Sequence, residues 1–309
     1  MVTIRSMVNG RPAVSAKPRL SLLSRLRSRR WAAYWMILPL VVLIVGLVVY
    51  PFVYSVYLSF ENKAETKFVG LQNYTKLLYY DTFWLVTGNS FRFTLTAVFF
   101  KATLGLILAL ILNNLPIGGQ RLWRGVSLIP WVMPLALSSM GWWWIFEPTH
   151  SAINWILVQL GGSPKPWLSD PFWARVACIV TNIWYGTPFF MIMYLAGLKS
   201  IPESLYEAAQ IDGARALQRF RYVTFPMLSK LIGITVMFST IVTFANFDIV
   251  RILTRGGPRY TTHLFGTYAF NIGIEAGHLP RGSAVALFMV PVLGVAAFFI
   301  LRNIARGEE

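Results

Sequence analysis

The sequence predicts an all-α integral membrane protein with six transmembrane helices. Three observations predict it. Of its 309 residues, 56% are hydrophobic, and the mean hydropathy is +0.56. Only 13% are charged, although the formal net charge is +16. The apolar residues are gathered in runs of roughly 20 or more, the length that crosses a bilayer as a helix. A soluble domain of this length does not carry so apolar a composition. The chain divides into a basic tail (1–30), a six-span domain (31–302) and a short tail (303–309).

Residues 1–30 hold Arg5, Arg11, Lys17, Arg19, Arg25, Arg27, Arg29 and Arg30, and no acid. No small-residue cleavage site follows a short apolar core, so the first run, about 31–57, is read as an uncleaved span. Trp31, Tyr34 and Trp35 flank one end, and Tyr50, Tyr54 and Tyr57 the other, as interfacial aromatic belts do. A polar stretch, 59–87, leads to the second span, 89–112, with Arg92 near one end and Lys101 inside. A lysine within a span is costly unless it faces a polar interior, and Lys101 is read as pairing or snorkelling. The third span, 125–146, contains Pro130 and Pro134 and ends in three tryptophans. Prolines are tolerated there when neighbours re-satisfy the freed carbonyls, and they mark helices that bend or line a cavity. Ile153, Trp155, Ile156, Leu157 and Leu160 give the next polar stretch an amphipathic helix at the membrane surface. The fourth span is 173–198, the fifth 231–253 and the sixth 283–301.

Between the fourth and fifth spans runs a charged loop, 206–228, with Glu207, Asp212, Arg215, Arg219 and Arg221. Glu203 opens a helix, in the first turn where the helix dipole favours an acid. Gly213 breaks the pattern, a second short helix spans 214–223, and Pro226 marks the entry to the fifth span. A structured polar loop kept on a membrane-embedded chain is suited to contacting another protein.

Charge places this loop. With six spans, the loops sharing the N-terminal side hold the eight basic residues of the tail, then Arg121, Arg124, Lys199, Arg215, Arg219, Arg221, Lys230, Arg302 and Arg306. The opposite loops hold Lys63, Lys67, Lys76, Lys165, Arg255, Arg259 and Arg281. The positive-inside rule therefore puts both termini and the charged loop in the cytoplasm. The net charge is accounted for by topology, so nucleic acid is not an expected partner, and the tail is suited to anionic lipid headgroups.

Glu207-Ala208-Ala209, then Asp212-Gly213-Ala214, Phe220 and Pro226 resemble the EAA loop of binding-protein-dependent ABC importer permeases. Gly70-Leu71-Gln72-Asn73-Tyr74 is similar to a short segment common after the first span in that family. Thr254-Arg255-Gly256-Gly257-Pro258, one span beyond the loop, also matches it. The resemblance covers about 35–300 and is to the carbohydrate, maltose-transporter-like branch, the first of two unlike permease subunits. The extra spans and large insertion of the maltose-type subunit itself are not seen here. The resemblance implies a cytoplasmic coupling-helix loop in which Glu207, Ala208, Ala209, Asp212 and Gly213 dock on the ATPase. It implies a second homologous permease, two ATP-binding subunits and an extracytoplasmic substrate-binding protein as partners, in a bacterial or archaeal inner membrane. ATP and Mg would sit on the ATPase subunits, and no cofactor is expected in this chain.

The solute pathway is expected at polar and aromatic positions inside the spans, because such residues face a bundle interior or water. Ser239, Thr243, Asn246 and Phe247 in the fifth span are candidates, with Asn182 and Tyr185 in the fourth. Thr243 and Asn246 are three apart and share a helix face. Amides and rings together suit a hydroxyl-rich neutral solute, and the resemblance implies substrate contacts on this helix. Asp248 and Arg251 are expected to pair with each other. Catalytic chemistry has no support: there is no GxxxxGK[ST], Cys178 reads as a small core residue, and His150, His263 and His278 fall in outer loops without metal-ligand spacing. The competing reading is an ion-coupled secondary transporter acting as a homodimer. It would require a coupling site of paired acids or discontinuous helices, and Asp248 is the only acid deep in a span.

Overall fold

Apolar length and end chemistry set where each helix starts and stops. The computed structural model describes residues 29–149 and 151–305. The basic tail through residue 28, His150 and residues 306–309 lie outside these, and so do the expectations that fall on them. Among the described residues the chain is helical apart from loops and one isolated bridge between Glu61 and Phe68.

The chain forms two units, Met1–Tyr54 and Ser55–Glu309. In the first, helix α1 (Arg29–Ile44) passes through a π-helical turn (Val45–Val49) into α2 (Tyr50–Leu58), whose last residues belong to the second unit. Tyr50 and Tyr54, one turn apart, stack with ring centroids 6.3 Å apart. Apolar side chains are exposed from Tyr34 to Tyr54, as a lipid-facing span requires.

In the second unit, α3 (Gln72–Leu78) is tied back to the end of α2. Asn73 is buried and donates from Nδ2 to the carbonyls of Ser59 and Glu61, at 2.9 and 2.8 Å, and the Tyr74 hydroxyl meets Ser59 Oγ at 2.7 Å. The Asn-Tyr of the Gly-Leu-Gln-Asn-Tyr segment thus closes the loop after the first span. Helix α4 (Asp81–Asn113) begins eight residues before the expected span, and its 33 residues outrun the hydrocarbon thickness.

The third span bends, as its two prolines suggested. Helices α5 (Ile117–Val132) and α6 (Leu135–Phe146) meet at 91° instead of forming one rod. Pro134, and not Pro130, makes the break. Met133, the residue before it, is extended at φ −67° and ψ 139°, the conformation that a following proline imposes. Pro130 sits within α5 without ending it. Counting the bent pair as one, the described residues contain six candidate spans.

Helix α7 (Ala152–Gln159) is amphipathic as expected: Ile153 and Leu157 face the core, while Trp155 and Ile156 are exposed. Helix α8 (Pro171–Ser200) starts sharply because Asp170 accepts bonds from the amides of Phe172 and Trp173 and Pro171 occupies the first turn. It packs along α4, and Gly105 lets the two backbones approach: a Cβ there would lie 2.4 Å from Phe190 Cβ. Cys178 is buried in the core, as its sequence position suggested.

The charged loop forms α9 (Glu203–Ile211), a turn at Gly213 with φ +76°, and a one-turn α10 (Ala216–Arg219). The second short helix expected over 214–223 is not separate: α10 continues through a π-helical turn (Phe220–Thr224) straight into α11 (Phe225–Phe244), whose first turn holds Pro226, the residue expected at the entry to the fifth span. Tyr206 Oη meets the buried Thr224 Oγ1 at 3.0 Å, fastening α9 to that turn. The fifth span is also discontinuous. Residues 245–247 are not helical, and α12 (Asp248–Leu253) follows. After it come α13 (Phe265–Phe270), a π-helical turn (Asn271–Glu275), α14 (Leu279–Leu287) and α15 (Met289–Ala305).

The Gly-Gly-Pro segment sits in the loop between α12 and α13. Gly256 has φ +86°, and a Cβ on it would fall 2.1 Å from the His263 ring. His263 was expected on the surface. It is 4% exposed, packs face to face with Tyr260 and bonds Thr267 through Nδ1. Burial pushes its imidazole down to about 4, against a smaller upward pull from Glu275 and with a further downward push from Arg251. In the unfolded chain the ring titrates near 6.5, so the neutral form that the fold selects stabilises it fully above that pH. This stability is lost as pH falls from 6.5 through about 4. Thermal unfolding followed by tryptophan fluorescence is expected at lower temperature near pH 5 than near pH 7.5, with a smaller difference in His263→Gln.

Candidate functional site

A cavity of about 110 Å³ lies where α4, α5, α6, α8 and α11 converge. Its polar wall is made by Lys101, Asn182, Tyr185, Ser239, Thr243 and Asn246. Five of the six residues named from sequence for the pathway therefore come together. Phe247 does not line the cavity; its ring turns to Phe270, with centroids 5.4 Å apart. Helical spacing alone did not bring Thr243 and Asn246 together. Asn246 lies past the end of α11, and its amide bonds the Thr243 carbonyl at 3.1 Å, so a turn holds the pair side by side.

The apolar wall is aromatic. Phe189 sits between Trp131 and Phe238, with ring centroids 5.8 and 5.5 Å away. Sequence reasoning missed these three and also the role of Lys101, whose isolation in an apolar run was the available signal. Lys101 is 3% exposed and donates from Nζ to Thr243 Oγ1 at 2.7 Å. Gly186 makes room for its stem, since a Cβ there would lie 2.5 Å from Lys101 Cδ. The Oδ1 atoms of Asn182 and Asn246 are buried and bond to nothing. The expected Asp248–Arg251 pair is not formed. Arg251 instead reaches Glu275 at 2.6 Å and lies over the Phe270 ring.

A second feature lies at the opposite end of α8 from Asp170. The groove beside α9 holds about 590 Å³ and is walled by Asn113, Asn114, Glu203, Glu207, Tyr206 and Leu217, among others. Glu207, Ala208, Asp212 and Gly213 are exposed, and Ala209 is half-buried. Ile211 and Leu217 stand 88% and 76% exposed on either side of the Gly213 turn. Apolar tips on a charged, well-braced knob are the makings of a docking surface.

Residues 101–308 match the family described as binding-protein-dependent transport system inner membrane component. The chain belongs to this family. The permease is 36% identical over 272 residues to the trehalose/maltose transport system permease protein MalF of Thermococcus litoralis, covering 86% of this chain and 92% of that one. It is 36% identical over 285 residues to the sulfoquinovosyl glycerol transport system permease protein SmoG of Agrobacterium fabrum, covering 91% and 92%. In fold it is similar to a chain of a bacterial ABC transporter that imports the acidic polysaccharide alginate, with a TM-score of 0.78 at 22% identity over 93% of this chain and 98% of that one. The permease is thus a multi-pass inner membrane component of an ABC transport system, and the secondary-transporter reading is not favoured.

Proposed function

We propose that this permease forms half of the translocation pathway of an ATP-driven carbohydrate importer, with the cavity around Asn182, Ser239, Thr243 and Asn246 as its solute site. The observation that carries the solute class is the make-up of that cavity: two unbonded amide oxygens and the hydroxyls of Tyr185, Ser239 and Thr243 opposite three aromatic rings. Amide oxygens accept bonds from sugar hydroxyls, and rings pack on the apolar faces of sugar rings. The relatives whose names specify trehalose, maltose or sulfoquinovosyl glycerol support the same reading. The break at 245–247 belongs in this picture, because unwound backbone at membrane depth is tolerated where it lines a cavity. At about 110 Å³ the cavity is smaller than a disaccharide, so the helices around it must part for passage.

The charged loop is the coupling element in this reading. Glu207, Ala208, Ala209, Asp212 and Gly213 dock on one of two ATP-binding subunits, which carry the ATP and Mg. A second homologous permease completes the pathway, and a substrate-binding protein delivers solute from outside. Both termini face the cytoplasm. A single cysteine at Gln210, in a Cys178→Ala background, is expected to resist an impermeant maleimide in intact cells while one at Ser163 reacts. The reverse pattern would invert the topology.

The functional test is ATP-dependent sugar uptake into vesicles holding the whole importer. Asn246→Ala removes one hydrogen-bonding amide, a loss of about 1 kcal/mol, so uptake efficiency is expected to fall about fivefold with assembly unchanged. Wild-type kinetics in that variant would make Asn246 structural.

A further inference from the structure

The solute site just proposed, on which the following rests, leaves one charged group without a counterpart. Lys101 Nζ has three donors and spends one on Thr243. No carboxylate lines the cavity, and among the described residues none lies within ion-pair distance of Nζ. A buried ammonium facing a cavity calls for a negative partner. The unbonded Oδ1 atoms of Asn182 and Asn246 on the same walls are acceptors and call for O–H or N–H donors. Seven residues back from Asn182, and so on nearly the same face of α8, is Arg175, whose Nε is buried and unbonded. Arg175 shares a small cavity with Arg92 and Asn89, and again no acid is on its walls. Between α4 and α8, then, Lys101 faces one cavity and Arg92 and Arg175 another, with no acid on the walls of either.

We propose that the carried solute is an acidic sugar: hydroxyls that bond Asn182 and Asn246, and a carboxylate or other anionic substituent that pairs with Lys101. A neutral sugar satisfies the asparagines and leaves the ammonium uncompensated. The neutral solute read from the sequence is refined accordingly.

The test uses the complete importer, with its second permease, ATPase subunits and binding protein, in vesicles. The probes are a disaccharide ending in glucuronate and its neutral counterpart of the same linkage. Probe-dependent ATP hydrolysis and uptake are expected for the uronate at about tenfold or more above the neutral sugar, as a charge-assisted bond predicts. Lys101→Met should lose that advantage, and Lys101→Arg should keep much of it. Equal handling of both probes by the wild type, or an unchanged uronate preference in Lys101→Met, would overturn the proposal without touching the importer reading. Failure of Lys101→Met to assemble, with the wild type carrying the neutral sugar equally well, would place the counter-charge on the partner subunit and would also overturn it. Absence of any ATPase in the purified complex would instead remove the importer reading itself.

Discussion

Glu207→Lys is expected to abolish solute uptake while the chain still inserts in the membrane. Glu207 is exposed on α9, one turn from Glu203, and walls the groove that runs back to Asn113 and Asn114 at the end of α4. It makes no ion pair among the described residues, so the fold does not depend on its charge. What depends on it, in the coupling reading, is contact with the ATPase. Reversing a charge at a docking surface removes an attraction and adds a repulsion, on the order of 3 kcal/mol, or about 100-fold in association. Retention of the ATPase on a tagged permease, compared with the amount of permease in the membrane, checks it. Wild-type uptake in the variant would sink the coupling assignment.

Gly105→Leu is expected to prevent the α4–α8 pair from forming. A Cβ at this position would lie 2.4 Å from Phe190 Cβ and 3.0 Å from the Met191 amide nitrogen, which are backbone or backbone-attached atoms that no rotamer change can move. Without a hydrophobic drive between helices in lipid, close backbone packing is what holds them together. The cavity depends on the same pair, since Lys101 lies one turn from Gly105 and reaches past Gly186. Folded protein recovered in mild detergent should fall more than tenfold. Trimming the Phe190 ring to alanine should not rescue it, because the clash is with Cβ and main chain. Normal recovery of Gly105→Leu would mean that the two helices cross elsewhere.

The spans were legible because bilayer thickness imposes a length on apolar runs. The charged loop was legible because polar residues interrupt so apolar a chain only where they are used. The failures have physical causes. Two prolines four residues apart lie in the third span, and composition does not say which one bends it; Pro134 does, by forcing Met133 out of the helix. Helical spacing was applied through Asn246, although the helix ends at Phe244. Arg251 was paired with its neighbour Asp248 because sequence distance is all a sequence offers; the fold supplies Glu275 from a later turn. His263 was misread as a surface residue because its burial depends on a close approach that the sequence does not show: Gly256, seven residues earlier, lacks the side chain that would occupy the place of the ring.

Co-purification tests the central claim most directly. The permease, tagged and expressed together with the genes around its own, is solubilised in mild detergent, and what accompanies it is identified. A stable complex with a second permease and an ATP-hydrolysing subunit is the expected result. A homodimer without any ATPase would contradict the account and leave the exposed α9 loop in want of another partner.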